Sequence, residues 1–436
     1  MGRIATFLRN STDALSERDF RLLWLGQAGS ALGDSLVGVA LAFAVLEVGG
    51  TAADLGLVFA AFAVPRVLLT LAGGVWSDRL PRRQVMVACD LVRAVAQALV
   101  SSVLITGNGQ VWHLMALAVV MGSATAFFTP AAVGLMPQIV GPARLQQANA
   151  LVSISQSAAH IFGPLAAGLL VATSGPGWAF AIDGASFLVS AGFLSAMRVP
   201  SRDIVARRSF VSELAEGWRE VSSRNWVLAS ILTFSLSNVA LGAFPVLGAI
   251  VASRELGGAA AWGVILTGGA IGGLLGGAVS LRWRPRRPLV AGFVLMIFAT
   301  IELHLLIPPF PAPVVALGAM LTFAAIVISN TFWDTMLQQH IPPDRLSRVS
   351  SYDWMVSLVF QPIAFAAVGP LSEAIGLTET LLAAAAVGVA ANTGVLLVPS
   401  VRNLARRDGE PVIPSPQAAS GASDPTEPPL APSPKL

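Results

Sequence analysis

A few polar side chains inside long apolar segments are the residues of this 436-residue chain best placed for chemistry. Gln27, Ser30 and Asp34 recur at spacings of three and four, which places them on one face of a helix. A carboxylate in the middle of a membrane span costs about 2.5–3.5 kcal/mol, so Asp34 is expected to face a cavity or a partner. Arg66 follows Pro65 halfway along the next apolar segment, at a depth similar to that of Asp34. A proton- or substrate-responsive site and a structural ion pair both fit Asp34 and Arg66.

Further polar residues occur in later apolar segments. Asn330 and Asp334 share one segment with Trp333, and Asn238 shares another with Phe234. An aromatic cavity with few polar groups suits an amphipathic organic substrate better than a sugar, which needs many hydrogen-bonding side chains. The single cysteine leaves no internal disulfide and no cysteine-based metal site. The sequence contains no nucleophile–base constellation, phosphate loop or metal-ligand cluster, so we predict no enzyme, no cofactor and no metal site.

The elements that position these residues follow from composition. Hydrophobic residues make up 55% of the chain, charged residues 12%, and the mean hydropathy is +0.72. Repeated apolar runs of about 20 residues predict an all-α polytopic membrane protein. The twelve predicted transmembrane helices span residues 20–48, 53–77, 84–105, 111–136, 145–172, 178–198, 226–252, 260–281, 288–307, 313–339, 346–373 and 378–399.

Arginines alternate between the two ends of these segments. They occur in the amino terminus and in the gaps after even-numbered helices, whereas the gaps after odd-numbered helices contain only Arg254. Because basic residues favour the cytoplasmic side, this pattern predicts that both termini are cytoplasmic. The formal charge of +3 therefore reports orientation and not nucleic-acid binding.

The chain also repeats internally. Residues 136–145 match 337–346, with Gln138 aligned to Gln339 and Arg144 to Arg345. This predicts two pseudo-symmetric six-helix halves, as in many transporters. The predicted organisation is an N-terminal half (1–198), a cytoplasmic linker (199–225), a C-terminal half (226–400) and a disordered cytoplasmic tail (401–436). The linker is interpreted as an amphipathic helix, with a solvated linker as the alternative.

The loop after the second predicted helix concentrates charge between residues 73 and 83. Its pattern of glycine, three residues, Asp-Arg and a basic pair resembles the signature loop of the major facilitator superfamily, with Pro81 where many members have glycine. The matching residues are Gly74, Asp78, Arg79, Arg82 and Arg83. The resemblance implies the twelve-helix major facilitator fold and a cytoplasmic gate in which Asp78 meets the start of helix 11, where free N–H groups favour an anion. Asp90 and Arg93 either extend this gate network or form a local intrahelical pair.

Helix 5 contains Gly163, Pro164 and Gly168, which resemble the Gly-Pro motif of the antiporter branches, although Ala167 replaces one glycine. The resemblance implies that helix 5 bends against helix 8; a plain packing motif is the alternative. His160 in the same helix is expected to be a buried hydrogen-bonding residue. The acids toward the outer ends of helices, Glu47, Asp183 and Glu302, can reach the headgroups, so a structural role is their default interpretation.

Within the superfamily, residues 20–34 resemble the branch of macrolide-efflux and enterobactin-exporter proteins. This implies a monomeric secondary transporter in the bacterial cytoplasmic membrane that exports an antibiotic-, drug- or siderophore-like compound, with protons as the coupling ion. Its partners would be a small amphipathic substrate, protons and the lipid bilayer. An uptake facilitator of the same fold and a non-transporting membrane accessory protein are the alternatives.

Overall fold

The computed structural model describes residues 13–141, 144–199, 218–219 and 221–407. Twelve long helices follow a short 3₁₀ turn, Asp13–Ser16, and their bounds agree with the predicted ones to within a few residues. They are α1 (Arg18–Glu47), α2 (Ala52–Arg79), α3 (Arg82–Ile105), α4 (Val111–Ile139), α5 (Leu145–Ser174), α6 (Pro176–Ala196), α7 (Asn225–Leu256), α8 (Ala259–Ser280), α9 (Pro288–His304), α10 (Ala312–His340), α11 (Pro343–Ile375) and α12 (Leu377–Val395).

Most of these helices are long and apolar enough to cross a membrane. Within the described residues, nine helices meet that condition, and α9 and the second half of α11 (Val359–Ile375) are shorter apolar segments. Helix α9 is interrupted between Phe298 and Ile301. Helix α7 contains two π-helical turns, Phe244–Gly248 and Ala252–Leu256. The prediction of an all-α polytopic membrane protein with twelve transmembrane helices is therefore confirmed.

Two of the connections between helices consist of a single glycine each. Gly175 (φ 84°) is the single residue between α5 and α6, and Gly376 (φ 104°) is the single residue between α11 and α12. Both are in the positive-φ region that glycine enters without steric cost. Because these are the fifth-to-sixth connections of the two six-helix sets, the chain makes the same turn at equivalent places in its repeat.

Helix packing divides the chain into two groups of six. We call α1–α6 the N-terminal group and α7–α12 the C-terminal group. Helix α1 packs on α5 and α6, α2 on α4, and α3 on both α4 and α6; α8 packs on α10, α9 on α10, and α7 on α11 and α12. The main contacts between the two groups join α2 to α11 and α5 to α8.

The carboxyl-terminal end of the described chain differs from the predicted disordered tail. A short helix, α13 (Pro399–Arg402), is followed by residues that contact the helix ends. The Arg406 N–H donates to the Arg286 carbonyl at 3.0 Å, and the Arg407 N–H donates to Gln339 Oε1 at 3.1 Å. Residues 401–407 are therefore ordered, while 408–436 and most of the predicted linker helix lie outside the described residues.

Candidate transport site

Asp34 lies near the middle of α1, about 24 Å along the helix from its first residue. Its side chain is exposed, although α1 is flanked by α2, α4, α5, α6 and α8. An exposed side chain on such a central helix opens to the inside of the bundle and not to lipid. The groups that interact electrostatically with Asp34 are Arg93 and His160, and its negative charge also reaches Asp183.

Of the two alternatives for Asp34 and Arg66, the structural ion pair is absent from the described residues. The Arg66 guanidinium carbon lies 5.9 Å from the centroid of the Phe62 ring on its own helix, and it forms no ion pair with any described acid. Similar depth does not fix the direction in which a helix turns its side chain. The arginine that interacts electrostatically with Asp34 is Arg93 of α3.

A ladder of polar contacts joins α3 to α6. Asp90, Arg93, Gln97 and Ser101 follow each other at spacings of three and four, and all four are buried. Gln97 Nε2 donates to Asp183 Oδ2, and Ser101 Oγ donates to the Gly177 carbonyl at 2.9 Å. We call these five residues, Asp90, Arg93, Gln97, Ser101 and Asp183, the α3–α6 ladder. They join the third helix to the sixth through ionisable and amide side chains.

Arg93 is the central charge of this ladder. It forms an ion pair with Asp90 at 3.7 Å, and both side chains are almost completely buried. Its guanidinium carbon lies 4.7 Å from the ring centroid of Phe128 and 5.3 Å from that of Phe187, which are cation–π distances. Arg93 also donates to Thr125 Oγ1 of α4 at 3.2 Å. Of the two alternatives for Asp90 and Arg93, the structure therefore contains the intrahelical pair, together with contacts to α4 and α6.

The C-terminal group presents a different site. Asn330 and Asp334 are exposed on α10, whereas Trp333 is buried and donates its Nε1–H to Asp353 of α11 at 2.8 Å. Asp334 and Asp353 interact electrostatically, so two carboxylates lie near each other on α10 and α11. Trp333, expected to line the cavity, is instead part of the packing that supports the exposed residues.

Aromatic rings form the wall behind these carboxylates. Phe234 of α7 is half-buried and lies between Phe293 and Trp333, with ring centroids 5.5 and 5.2 Å away. Asn238, one turn further along α7, donates to the Ser357 carbonyl at 3.1 Å. In the N-terminal group, Gln27 is half-buried on the same helix as Asp34. A substrate between the two groups would meet apolar rings, two amides and a few carboxylates.

The acids near the outer ends of helices differ in their burial. Glu47 is exposed, as expected for a group that reaches the headgroups. Asp183 and Glu302 are fully buried, so neither side chain reaches the headgroups as the sequence allowed. Asp183 is bound by Gln97, and Glu302 has no hydrogen-bond partner among the described residues. His160, expected to be buried, is exposed.

The connection between α2 and α3 is anchored by Arg82 and Arg83, the first two residues of α3. Arg82 donates to the Gly134 carbonyl of α4, and a Cβ on Gly134 would overlap with the Arg82 guanidinium. Arg83 donates to the Ser195 carbonyl at 3.3 Å and to that of Met197, at the end of α6, where free carbonyls favour a cation. Arg79 is exposed. The side chain of Asp78 and residue Gly74 lie outside the described set, so the predicted gate contact stays a prediction.

Close backbone contacts join the two groups near the start of α2. Gly369 of α11 lies against Ala52 and Ala53 of α2, and Gly56 of α2 lies against the Phe365 carbonyl. At the start of α2, the Ala53 N–H donates to Glu373 Oε1 at 3.2 Å.

The Gly-Pro motif of α5 makes a similar contact. A Cβ on Gly168 would lie 2.6 Å from the Ala259 carbonyl oxygen of α8, and Gly263 of α8 lies against the Pro164 carbonyl. Gly163, one residue earlier, faces Ser35 of α1 instead. Two of the three predicted motif residues therefore lie at the interface with α8. All these contacts require residues without a side chain, which lets two helix backbones approach each other.

Sequence reasoning missed Gln97 and gave other roles to two further contributors to this site, Asp183 as its partner and His160. A signal for Gln97 was present, because Asp90, Arg93, Gln97 and Ser101 make a polar stripe at helical spacing on an otherwise apolar helix. No group of His, Cys, Asp or Glu side chains that could hold a metal ion occurs in the described part of the chain.

Comparisons with known proteins agree with this architecture. Residues 23–364 match the family described as Major Facilitator Superfamily. The multidrug efflux pump Tap of Mycolicibacterium fortuitum is 26% identical over 396 residues, which cover 85% of this chain and 93% of that protein. Macrolide efflux protein A of Streptococcus pyogenes is 22% identical over 371 residues, 83% of this chain and 91% of the relative.

The fold is also that of solved transporters. The crystal structure of the nucleoside transporter NupG matches with a TM-score of 0.72 at 13% identity, over 89% of this chain and 99% of that one, a likeness that concerns the fold alone. The predicted resemblance to the efflux branch is confirmed by the two relatives, and the protein is a transporter and not an enzyme. With its family match covering most of the twelve helices, the chain belongs to the major facilitator superfamily.

Proposed function

We propose that this transporter exports an amphipathic small molecule, antibiotic-, drug- or siderophore-like, across the bacterial cytoplasmic membrane in exchange for protons. It acts as a monomer of two six-helix halves with both termini in the cytoplasm. Multidrug and macrolide efflux proteins among its relatives support export as the direction of transport.

The observation that carries the proposal is the position of Asp34. An exposed carboxylate in the middle of a membrane helix can exchange a proton with water that enters the bundle. The positive charge of Arg93 and the negative charge of Asp183 have opposite effects on the Asp34 carboxylate. His160, on α5, is another exposed titratable group that interacts with it. If movement of the two halves changes these distances or the access of water, Asp34 can take up a proton on one side and release it on the other.

Alternating access uses the contacts at the two ends of α2 and α11. At the outer end, the Glu373 carboxylate accepts the Ala53 N–H at the start of α2. At the cytoplasmic end, the Asp78 carboxylate would accept backbone N–H groups at the start of α11. One end of this helix pair opens while the other closes, and each closed end places a carboxylate on free helix N–H groups.

The substrate site would be completed by the C-terminal group. Phe234 offers an apolar face, Asn238 and Asn330 offer single hydrogen bonds, and Asp334 offers a negative charge. Such a set binds a largely apolar molecule with a few polar groups or a positive charge more readily than a sugar.

The energetics permit substantial accumulation. One proton that enters down a potential of about 100 mV supplies ~2.3 kcal/mol. A tenfold proton gradient adds ~1.4 kcal/mol. Together they could sustain an outward gradient of a neutral substrate of roughly several hundredfold.

The test is gradient-driven efflux by purified protein in liposomes, with substrates first found by screening antibiotics, dyes and siderophores in an efflux-deficient host with and without a protonophore. Asp34→Asn should abolish accumulation driven by a pH difference but spare passive exchange. Glu47→Gln, on the same helix but exposed at its outer end, should behave like the native protein. Pumping by Asp34→Asn under a pH difference alone would contradict proton coupling at Asp34 and direct attention to Asp334.

The same assay separates the alternatives. Accumulation toward the cytoplasmic face would identify an uptake facilitator. Absence of transport in liposomes together with a retained cellular phenotype would identify a membrane accessory protein.

A further inference from the structure

The loop between α8 and α9 is a cluster of positive charges with no acidic partner among the described residues. All four of its arginines are exposed: Arg282, Arg284, Arg286 and Arg287. No Asp or Glu occurs between Glu255 and Glu302. Among the described residues, the four side chains neither donate a hydrogen bond nor form an ion pair. We call this cluster the α8–α9 arginine loop.

A cavity of about 210 Å³ opens beside this loop. This is below the roughly 300–1,000 Å³ of pockets that enclose drug-sized molecules, so the cavity suits a smaller group. No acidic side chain is among its lining residues, which are Ser280, Leu281, Trp283, Arg284, Pro288, Thr331, Phe332, Thr335 and Arg406.

The walls of the cavity indicate what kind of group it accepts. The Trp283 and Phe332 rings meet edge to face at 5.4 Å and form one wall. The hydroxyls of Ser280, Thr331 and Thr335 donate back to carbonyls of their own helices, so their protons are already used. The charge that the cavity offers to a ligand therefore comes from Arg284. It selects an anion, and a guanidinium fork matches the oxygens of a phosphate.

The equivalent loop of the N-terminal group shows what the α8–α9 arginine loop lacks. There, Arg82 and Arg83 donate to carbonyls of Gly134, Ser195 and Met197, so the protein itself uses their donors. Leu281 stands in the second loop where Asp78 stands in the first. The second loop keeps the positive charge of the repeat but has neither its acid nor its carbonyl partners.

The position of the cavity points to the source of the anion. It lies where α8 ends at Ser280 and α9 begins at Pro288, which is a boundary between the apolar span and water. Leu281 at the cavity and Leu274 two turns earlier on α8 are 74% and 57% exposed, so an apolar surface continues from the cavity along the helix. Trp283, 40% exposed, is a residue type enriched at the headgroup level.

We propose that this cavity binds the phosphate headgroup of an anionic phospholipid, whose acyl chain lies along the exposed leucines of α8. Arg284 contacts the phosphate, and the carboxyl-terminal segment closes the site through Arg406, whose backbone N–H is held by the Arg286 carbonyl. Basic pockets between transmembrane helices are a recurrent way of binding anionic headgroups. This site is separate from the transport site, so it does not depend on the proposed function.

The test is lipid retention by the purified full-length protein, measured by native mass spectrometry during titration with phosphatidylglycerol or phosphatidylcholine. Phosphatidylglycerol should bind more tightly than the zwitterionic lipid. Arg284→Gln should weaken its binding about fivefold, the effect expected from one basic residue near an anionic surface. Arg284→Lys should retain more affinity than Arg284→Gln because it keeps the charge. Arg254→Gln, which removes an exposed arginine near the end of α7, should change nothing.

Three results would overturn the proposal. Equal affinity for the two lipids would show that charge does not select the ligand, and equal binding by the Arg284→Gln and Arg254→Gln variants would show that the cavity is not the site. If inorganic phosphate displaced phosphatidylglycerol at equal concentration, the ligand would be free phosphate and not a lipid.

Discussion

Helices α3 and α6 of the N-terminal group correspond in the repeat to α9 and α12 of the C-terminal group. The first pair is joined through polar side chains, and the second through a glycine and a methyl group. Between α3 and α6 lie the buried side chains of the α3–α6 ladder, with Arg93 at its centre. Between α9 and α12, Gly388 lies against the methyl group of Thr300, and Asn392 turns away to donate to Ser237 of α7. Glu302 of α9 is buried with no partner in the described chain.

The difference concerns this pair of helices and not the whole of each group. The N-terminal group joins α3 to α6 through charged and amide side chains. The C-terminal group joins α8 to α10 through Gly268, Gly272 and Gly276, which lie against backbone atoms of Ala316, Met320 and Ala324. The N-terminal group has similar backbone contacts between α2 and α4, where Gly73 and Gly122 lie against the carbonyls of Ala126 and Phe62.

The largest expected effect is the loss of the ladder's central charge. Arg93→Leu would leave Asp90 buried without its cation, which costs ~3–5 kcal/mol of unfolding free energy. Replacing both partners, Asp90→Leu with Arg93→Met, should recover most of that stability, because an apolar pair of similar volume removes the unpaired charge. Unfolding in detergent micelles measures both. An Arg93→Leu protein as stable as the native one would show that charge does not hold α3 to α6.

A smaller effect is expected from filling the glycine contact between α8 and α10. A Cβ on Gly272 would lie 2.6 Å from the Met320 Cα and overlap with its carbonyl, so Gly272→Ala should cost ~1–3 kcal/mol. Gly277, five residues further along the same helix, has nothing within 4 Å of an added Cβ, so Gly277→Ala is a matched control that should not destabilise. Equal thermal stability of the two variants would contradict the idea that backbone contact holds this group together.

The smallest effect is expected at Glu302. Because no described group donates to it, Glu302→Gln should change the unfolding free energy by less than ~1 kcal/mol and leave gradient-driven efflux intact. Asp183→Leu is the comparison in the other group; it leaves the Gln97 amide unpaired and should cost ~1–3 kcal/mol. A loss of efflux in Glu302→Gln would mean that the C-terminal group also carries a coupling acid.

Much of the fold could be predicted from sequence, because membrane helices are marked by apolar length and their ends by turn residues. Gly175 and Gly376 marked two of these turns, and the alternating arginines gave an orientation. What sequence could not provide was the rotation of each helix about its axis. Asp34 and Arg66 are expected at similar depth, yet Arg66 packs on Phe62, and the arginine that interacts with Asp34 is Arg93 from a third helix.

The sequence also could not predict which acidic side chains near the helix ends are buried. Distance from the membrane surface suggested that Asp183 and Glu302 can reach the headgroups, but the direction of a side chain depends on which neighbour its helix faces. For Asp183 that neighbour is Gln97, 86 residues earlier in the chain. Only the packed structure brings the two together.

The two π-helical turns of α7 change the direction in which the side chains after each turn point. Each five-residue turn holds about one residue more than an α-helical turn, so it shifts the side-chain phase of all that follows by roughly 100°. The segment with Phe234 and Asn238 and the segment after Gly248 therefore do not continue one stripe. Phe244, at the first of these turns, packs on Trp262 of α8 with ring centroids 5.1 Å apart. One helix thus carries two differently aimed surfaces, and residues before the first turn can vary without changing the packing of its carboxyl-terminal end.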